Sequence, residues 1–173
     1  NTFELPENIH MLRAGDRVLL SGTVYTARDA AHARLVDLLR NGGKLPFELR
    51  GATVYYAGPT EAPEGLPIGS CGPTTSGRMD SFSPALLDAG LCAMIGKGDR
   101  NKAVIDAMLR NGAVYFCAMG GLGALAAKCI TSCEVIAFEE LGCESVKRLN
   151  FADFPLIVGI DVKGNSIFRY PNV

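Results

Sequence analysis

The sequence predicts an α/β fold with a mixed sheet, and two observations support it. Strand-like segments dominate the first part of the chain, whereas helical and strand-like segments alternate after residue 82. The 173 residues are 48% hydrophobic and 20% charged, which suits one folded domain and excludes a disordered chain. Because no repeat, low-complexity tract or linker divides the chain, we expect one domain over residues 1–173.

The first half is expected to hold three strands, one helix and a long loop. Strands are predicted over residues 5–11, 18–26 and 52–57. Asp29 is a plausible N-cap of a helix whose apolar residues recur at helical spacing until Gly42. Residues 58–80 are rich in Gly and Pro and follow neither period, and loops of this length are usually functional or disordered. Their specific mixture of hydroxyls, glycines and one arginine favours function.

The second half alternates between the two element types. Ser83 as N-cap and Pro84 at the first helical position predict a short helix over 83–90. Further helices are predicted over 102–112 and 121–130, and strands over 92–96, 113–119, 134–138, 156–161 and 166–170.

Charge and cysteine content exclude several classes of protein. With 17 basic and 18 acidic residues the net charge is −1, which argues against a dedicated nucleic-acid binder. The six cysteines are scattered, mostly in apolar stretches, and no pair forms C-x-x-C, so we expect reduced core thiols and no metal ligand set. They are Cys71, Cys92, Cys117, Cys129, Cys133 and Cys143.

A cytoplasmic protein without a membrane segment is the expected class. The first residues lack the apolar stretch of a signal peptide, and free thiols are typical of a reducing compartment. The uncharged stretch 112–127 is shorter than the ~20 residues that a membrane span requires.

One glycine pattern resembles a dinucleotide-binding turn. The strand predicted over 113–119 runs into Gly121, Gly123 and Ala126, which match G-x-G-x-x-A, and Glu139 follows where a ribose-binding acid would lie. Too little chain remains after this unit for the βα repeats of such a fold, so close strand-to-helix packing is the favoured interpretation. Binding of another anion at that helix end, or a dinucleotide-binding regulatory module using the Gly121 turn, stays open as an alternative.

Basic and hydroxyl side chains follow several predicted strands, where α/β folds place ligands. The candidates are Arg28, Asp29, His32, Thr74, Thr75, Arg78 and Lys97. An arginine fork suits a carboxylate, and a lysine between glycines offers a point charge. This set indicates a site for a small dicarboxylate, with one basic group for each carboxylate. A capping loop with an exposed Arg78, a surface Lys97 and a merely buried or capping His32 are the alternatives.

Three segments carry a resemblance to a known family. GPTTSGRMD at 72–80, GTVYTARDAAH at 22–32 and GKG at 96–98 resemble the β subunit of class I, iron–sulfur-dependent fumarate hydratase, in the fumarase and L-tartrate dehydratase β family. The resemblance extends over essentially the whole chain. It implies a single-domain swivelling β/β/α fold and a hydro-lyase subunit that hydrates fumarate reversibly to L-malate, active only with an α subunit. The 4Fe–4S cluster is then expected on that α subunit, with no ligand from this chain.

The resemblance also implies residue roles. They are Thr74 and Lys97 for catalysis, Arg28, Thr75 and Arg78 for substrate binding, and Asp29 and His32 for support of these groups. Thr74 would remove the C3 proton of malate, with Lys97 nearby to hold or activate it. The two arginines would grip the carboxylates and stabilise the charge that develops on deprotonation.

The L-tartrate dehydratase β subunit is the closest alternative in this family, and mesaconate hydratase is another. In the tartrate subfamily a Met stands where this chain has Gly77, so the small residue favours fumarate. The partners implied are the α subunit and a small dicarboxylate, in an assembly that contains a β homodimer or is α2β2.

Overall fold

The computed structural model describes residues 1–119 and 123–168 and contains one mixed sheet of six strands. The strands are β1 Arg17–Thr26, β2 Thr53–Tyr55, β3 Ala93–Gly96, β4 Val114–Cys117, β5 Ile130–Ala137 and β6 Val146–Ile160. The helices are α1 Leu5–Asn8, α2 Asp29–Arg40, α3 Ser83–Asp88, α4 Lys102–Asn111 and α5 Gly123–Lys128. Short 3₁₀ segments cover Ile9–Met11, Ser76–Met79 and Glu139–Glu144.

Five of the strands close into a ring. The order is β1-β2-β3-β4-β6-β5, and β1 also pairs with β6, so β5 extends from the ring along β6. β1 to β4 pair in parallel, whereas β6 runs antiparallel to β1, β4 and β5. The α/β class with a mixed sheet is therefore confirmed.

The parallel strands bring their carboxyl ends to one edge of the sheet. Thr26 pairs with Tyr55, Tyr55 with Ile95, and Gly96 with Cys117. The loops that leave β1, β2 and β3 therefore start side by side, and every predicted site residue lies in these loops or, for Asp29 and His32, in the first turn of α2.

Alternate residues of the strands pack into two cores. Val54 contacts a cluster that includes side chains of α2, α3 and α4, whereas the next residue, Tyr55, belongs to a second cluster. All five ring strands contribute to that second cluster, which includes Val24, Ile95 and Phe116. Both faces of the parallel strands are thus covered, as their continuous apolar runs require.

The strand predicted over 5–11 is wrong, since these residues form α1 and a 3₁₀ turn. Pro6 lies in the first helical turn. The N–H groups of this turn have no partner within a helix, so the N–H that proline lacks costs no hydrogen bond there. Leu5 and Ile9, four residues apart, are both buried, so the short apolar run follows the helical period.

Two predicted N-caps are also wrong. α3 does begin at Ser83, but Phe82 takes the cap position, and the Ser83 hydroxyl donates to the carbonyl of Met79 instead. α2 starts at Asp29, so Arg28 takes its cap position, without a side-chain cap bond.

The late strands differ in extent from the expectation. β6 begins at Val146, ten residues before the predicted strand, because its first half pairs with β1 and β5. Ser166 forms an isolated bridge with Ile160, and the rest of the strand predicted over 166–170 lies partly outside the described residues. The remaining helices and strands agree with prediction to within a few residues. No helix in residues 1–119 and 123–168 is long and apolar enough to cross a bilayer.

Candidate active site

The loop that follows β2 is fastened to the ends of two strands. Thr74 N–H donates to the carbonyl of Tyr56 over 2.6 Å, and Ser76 N–H donates to the carbonyl of Lys97 over 2.9 Å. Thr75 and Lys97 form a parallel bridge. The structure therefore places Thr75 beside Lys97, with Thr74 held next to it at the end of β2.

This close approach depends on a residue without a side chain at the end of β3. A Cβ on Gly96 would collide with the Ser76 hydroxyl oxygen and lie 2.8 Å from the Tyr56 ring. Ser76 is buried, and its hydroxyl lies 2.8 Å from that of Tyr115, which donates to the carbonyl of Gly98. The loop after β3 is thus held from both sides.

One carboxylate lies between two guanidinium groups at this edge. Arg78 Nε donates to Asp29 Oδ1 over 2.9 Å, and Arg78 Nη2 lies 2.9 Å from Asp29 Oδ2. Arg28 Nε is 4.0 Å from the same Oδ2. Asp29 therefore orients Arg78 and neutralises part of the local positive charge, a role in addition to the support of Arg28 that its position suggested.

Arg28 is confined by an acid that sequence reasoning missed. Its Nη2 lies 3.6 Å from Oε1 of Glu144, whose Oε2 accepts from Ala30 N–H at the start of α2. A Cβ on Gly58 would lie 2.8 Å from Arg28 Nη1, so the glycine provides the space for the guanidinium. Within the described residues, the buried Nε of Arg28 has no hydrogen-bond partner. The Arg28 side chain is therefore mostly buried, and a ligand would meet its Nη groups rather than this Nε.

His32 lies behind Arg28 and is fully buried. Its Nδ1 is 3.0 Å from the Arg28 carbonyl, and because a carbonyl only accepts, Nδ1 carries the proton. Desolvation lowers the pKa of the imidazole to about 4, outweighing the opposing effect of that hydrogen bond. The ring packs edge-on against Tyr56 at 5.2 Å. His32 is therefore neutral near pH 7 and supports the backbone of Arg28.

The side chains expected to meet a ligand are accessible. Thr75, Arg78 and Lys97 are exposed, Thr74 is half-buried, and Arg28 retains 20% of its side-chain exposure. All lie in loops at the carboxyl edge of β1, β2 and β3. This arrangement can present two arginine forks and one ammonium group to a small anion beside a row of hydroxyls.

The six cysteines are dispersed over the structure. Among residues 1–119 and 123–168, no three His, Cys, Asp or Glu side chains converge to hold a metal ion. No disulfide links the six cysteines. Burial raises the pKa of Cys71 to about 12 and that of Cys92 and Cys117 to about 11, so these three thiols are neutral near pH 7.

The Gly121 turn of the dinucleotide alternative lies outside the described residues. Gly123, at the start of α5, accepts a hydrogen bond from Cys71 N–H, and a Cβ there would collide with the Ser70 hydroxyl oxygen. At Gly123 the glycine therefore permits close packing against the site loop. Glu139 is exposed at the start of a 3₁₀ segment.

Glu144 and Tyr56 had no recognisable signal in the sequence. Glu144 lies far from Arg28 along the chain, in a segment without a motif, and Tyr56 reads as an ordinary strand residue. Both reach the site only because β6 returns beside β1 and because the loop after β2 folds back over its own strand.

Comparisons with known proteins give a consistent family assignment. The family model described as "Fumarase C-terminus" matches residues 1–170. "Fumarate hydratase 2" of Leishmania major is 42% identical over 156 residues, which are 89% of this chain and 28% of the relative. "Fumarate hydratase class I, anaerobic" of Escherichia coli (strain K12) is 41% identical over 155 residues, 88% of this chain and 28% of the relative.

A shorter relative matches along most of its own length. The protein named "Putative L(+)-tartrate dehydratase subunit beta" of Methanocaldococcus jannaschii is 37% identical over 172 residues, covering 96% of this chain and 88% of the relative. The chain thus spans little more than a quarter of the two fumarate hydratases and most of the archaeal protein.

Proposed function

This chain belongs to the fumarase C-terminus family, and we propose that it is the β subunit of a hydro-lyase that reversibly hydrates fumarate to L-malate. On this proposal residues 1–173 are one β-subunit domain. Its relatives are named fumarate hydratases and a tartrate dehydratase, which are hydro-lyases. The observation that carries the proposal is the gathering of Arg28, Arg78 and Lys97 with two threonines at one edge of the sheet.

The substrate class follows from the charges at this edge. Asp29 occupies the Nε side of Arg78, and the outer N–H groups of this half-exposed guanidinium remain for a ligand. Arg28 offers a second guanidinium to the same carboxylate, with its Nε 4.0 Å from Asp29 Oδ2. Two separate forks suit the two carboxylates of a four-carbon diacid better than a single anionic group.

The chemistry assigned to this chain is removal of the C3 proton of malate. We assign Thr74, acting as its alkoxide, as the base whose oxygen takes up the C3 proton, and Lys97, on the neighbouring strand end, as the ammonium group that stabilises this alkoxide. The electron pair of the broken C–H bond would move into the adjacent carboxylate. The two arginines would stabilise the charge that accumulates there, and Thr75 would donate a hydrogen bond to the bound diacid.

The α subunit of the same enzyme is the proposed partner. The fumarate hydratase relatives are more than three times longer than the matched region, whereas the archaeal β subunit is about the length of this chain. We place the 4Fe–4S cluster of the class on that partner, where it would supply a Lewis acid for the leaving hydroxyl. An α2β2 assembly is the stoichiometry we propose.

An apolar surface beside the site suits this partner. Leu19, Met119 and Leu125 are each more than half exposed, and Met119 lines one shallow depression with Leu19 and another with Leu125. Gly123 packs against Gly72, so this surface borders the loop that carries Thr74. A chain that completes the site at Thr74 would approach along this border, and we propose that it covers these three side chains.

Substrate choice is proposed to depend on the space at Gly77. A Cβ at this position would meet nothing within 4 Å, so a larger residue next to Arg78 in the chain would project into open space. The glycine leaves room for a diacid at Arg78, which favours fumarate and malate. L-Tartrate and mesaconate are the alternative substrates within the same chemistry.

The test is to produce this chain together with its α subunit under anaerobic conditions and assay three diacids. Hydration of fumarate by the complex, with none by this chain alone, is the expected result. If L-tartrate or mesaconate is turned over faster than fumarate, that diacid is the substrate instead. Inactivity toward all three diacids would overturn the proposal that the complex is a hydro-lyase. Calorimetric NAD binding that depends on Glu139 would favour the dinucleotide alternative instead.

A further inference from the structure

A buried ion pair lies directly beneath the candidate site. The Arg100 side chain is fully buried, and its Nε donates to Asp80 Oδ1 over 2.7 Å. The other Asp80 oxygen accepts from Asn101 N–H over 2.8 Å. Arg100 Nη1 donates to the Tyr56 hydroxyl over 3.2 Å and Nη2 to the Ser83 hydroxyl over 2.7 Å. The guanidinium is therefore held by partners from two separate segments of the chain, the end of β2 and residues 80–83.

Two aromatic rings enclose the same guanidinium. Its central carbon lies 5.2 Å from the ring centroids of both Tyr56 and Tyr115, within the range of a cation–π interaction. Burial opposes the charge, but Tyr56 and Asp80 outweigh this, and the pKa of Arg100 is raised. A fixed, fully charged group thus occupies the space between the sheet and the loops above it.

The two loops that carry Thr74, Arg78 and Lys97 are attached to this pair. Asp80 directly follows the 3₁₀ turn that carries Arg78. Arg100 lies three residues after Lys97, in the loop that leaves β3. Tyr56, whose hydroxyl meets Arg100, accepts the Thr74 N–H with its backbone carbonyl. One ion pair is therefore linked to the segments of Thr74, Arg78 and Lys97.

The second enclosing ring joins the same two loops. The Tyr115 hydroxyl lies 2.8 Å from that of Ser76 and donates to the carbonyl of Gly98. The ring of Tyr115 packs against the Arg100 guanidinium, while its hydroxyl contacts Ser76 in one loop and Gly98 in the other. A shift of the guanidinium would therefore disturb both loops together.

We propose that Arg100 and Asp80 are positioning residues that fix the loop 72–80 relative to the loop 96–101, so that Thr74, Arg78 and Lys97 keep one common geometry. Stability alone does not require such a pair, since apolar residues of similar volume often replace a buried ion pair without loss. The catalytic consequence rests on the proposed function, whereas the effect on loop geometry does not.

The test compares two variants of the pair with a control in the α–β complex and in this chain alone. Arg100→Lys keeps the charge but loses the fork, and the double variant Arg100→Met, Asp80→Asn removes both charges while keeping an acceptor for Asn101 N–H. The control is Arg110→Lys, because Arg110 forms a similar fork with Asp88 on the exposed side of α4.

We expect amide hydrogen exchange in residues 72–80 and 96–101 to speed up at least about tenfold in both variants, with the strands unchanged. In the complex, kcat should fall about 100-fold, the cost of displacing reacting groups by roughly 1 Å, while KM changes far less. The control should match the wild-type protein in both measurements.

The outcomes separate positioning from stability. If the double variant folds and exchanges like the wild-type protein in both loops, or keeps kcat within about threefold, the proposal is overturned. If one variant does not fold, the other decides. A wild-type complex without hydro-lyase activity would overturn the proposed function, and loop exchange in the isolated chain would still test the positioning role.

Discussion

The carboxylate of Asp29 holds the guanidinium of Arg78 across 49 positions of sequence, with Nε donating to Oδ1 over 2.9 Å. Asp29 opens α2, and Arg78 belongs to the 3₁₀ turn at the end of the long loop, so the contact joins two different strand ends. The same carboxylate lies 4.0 Å from Arg28 Nε. A single acid thus sets the relation between the two forks proposed to bind substrate.

Asp29→Asn should raise KM about tenfold with a smaller effect on kcat. The neutral amide lacks the negative charge and the second acceptor oxygen with which Asp29 holds Nε and Nη2 of Arg78. Steady-state kinetics of the α–β complex with malate measure this. Asp37→Asn, an exposed change on the same helix, is the control. An unchanged KM in the Asp29 variant would show that Arg78 needs no such support.

Arg78→Lys should lower kcat/KM about 100-fold or more, since an ammonium group cannot reproduce the fork that faces a carboxylate. Arg34→Lys is the matched control, because Arg34 is an exposed arginine paired with Glu140 on the outer side of α2. Near-normal kcat/KM in the Arg78 variant would remove this residue from the proposed site.

Gly96→Ala should destabilise the chain by about 1–3 kcal/mol, because the new methyl group would collide with the Ser76 hydroxyl and crowd the Tyr56 ring. Urea unfolding of the isolated chain measures this. Gly77→Ala is the control for stability, since its Cβ would meet open space at a backbone angle that alanine accepts. Equal midpoints for the two variants would contradict the close approach of the loops.

Stability should fall as the pH drops from 6.5 to 4 through titration of His32. The imidazole pKa is about 4 in the folded protein, below its ordinary 6.5, because burial penalises the charged ring. Within this window the unfolded chain binds more protons than the folded one, and the loss is complete below pH 4, amounting to about 3 kcal/mol.

Urea unfolding across this pH range tests the assignment by comparing the wild-type protein with His32→Gln. The variant should lose the His32 share of the pH dependence, whereas His10→Gln, at an exposed histidine, should keep it. Parallel curves for the wild-type protein and the His32 variant would contradict a buried neutral imidazole.

Leu125→Asp should weaken association with the α subunit at least about tenfold, because a charge would be buried in the proposed apolar contact. Analytical ultracentrifugation or calorimetry of the two purified subunits measures the affinity. Leu109→Asp is the control, since this partly exposed leucine lies near the end of α4, away from the site loops. Equal affinities would place the interface elsewhere on the chain.

Local pattern predicted most elements of the fold but not all of their ends. α2 and α4 follow from helical periodicity, and the short parallel strands follow from continuous apolar runs between Gly-containing turns. Residues 5–11 were misassigned because a short apolar run fits both periods, and only the burial of Leu5 and Ile9 on one side distinguishes them. The first half of β6 was missed because its partners, β1 and β5, supply the hydrogen bonds that define it.

The sequence by itself determined that the motif-bearing loops after β1, β2 and β3 start together, because the carboxyl ends of parallel strands lie at the same edge of the sheet. Only the tertiary structure decided which groups touch. Asp29 meets Arg78, Glu144 meets Arg28 and Asp80 meets Arg100. Such contacts join segments far apart in the chain, and their geometry depends on strand register and on the packing of loops over the core, which no local pattern encodes.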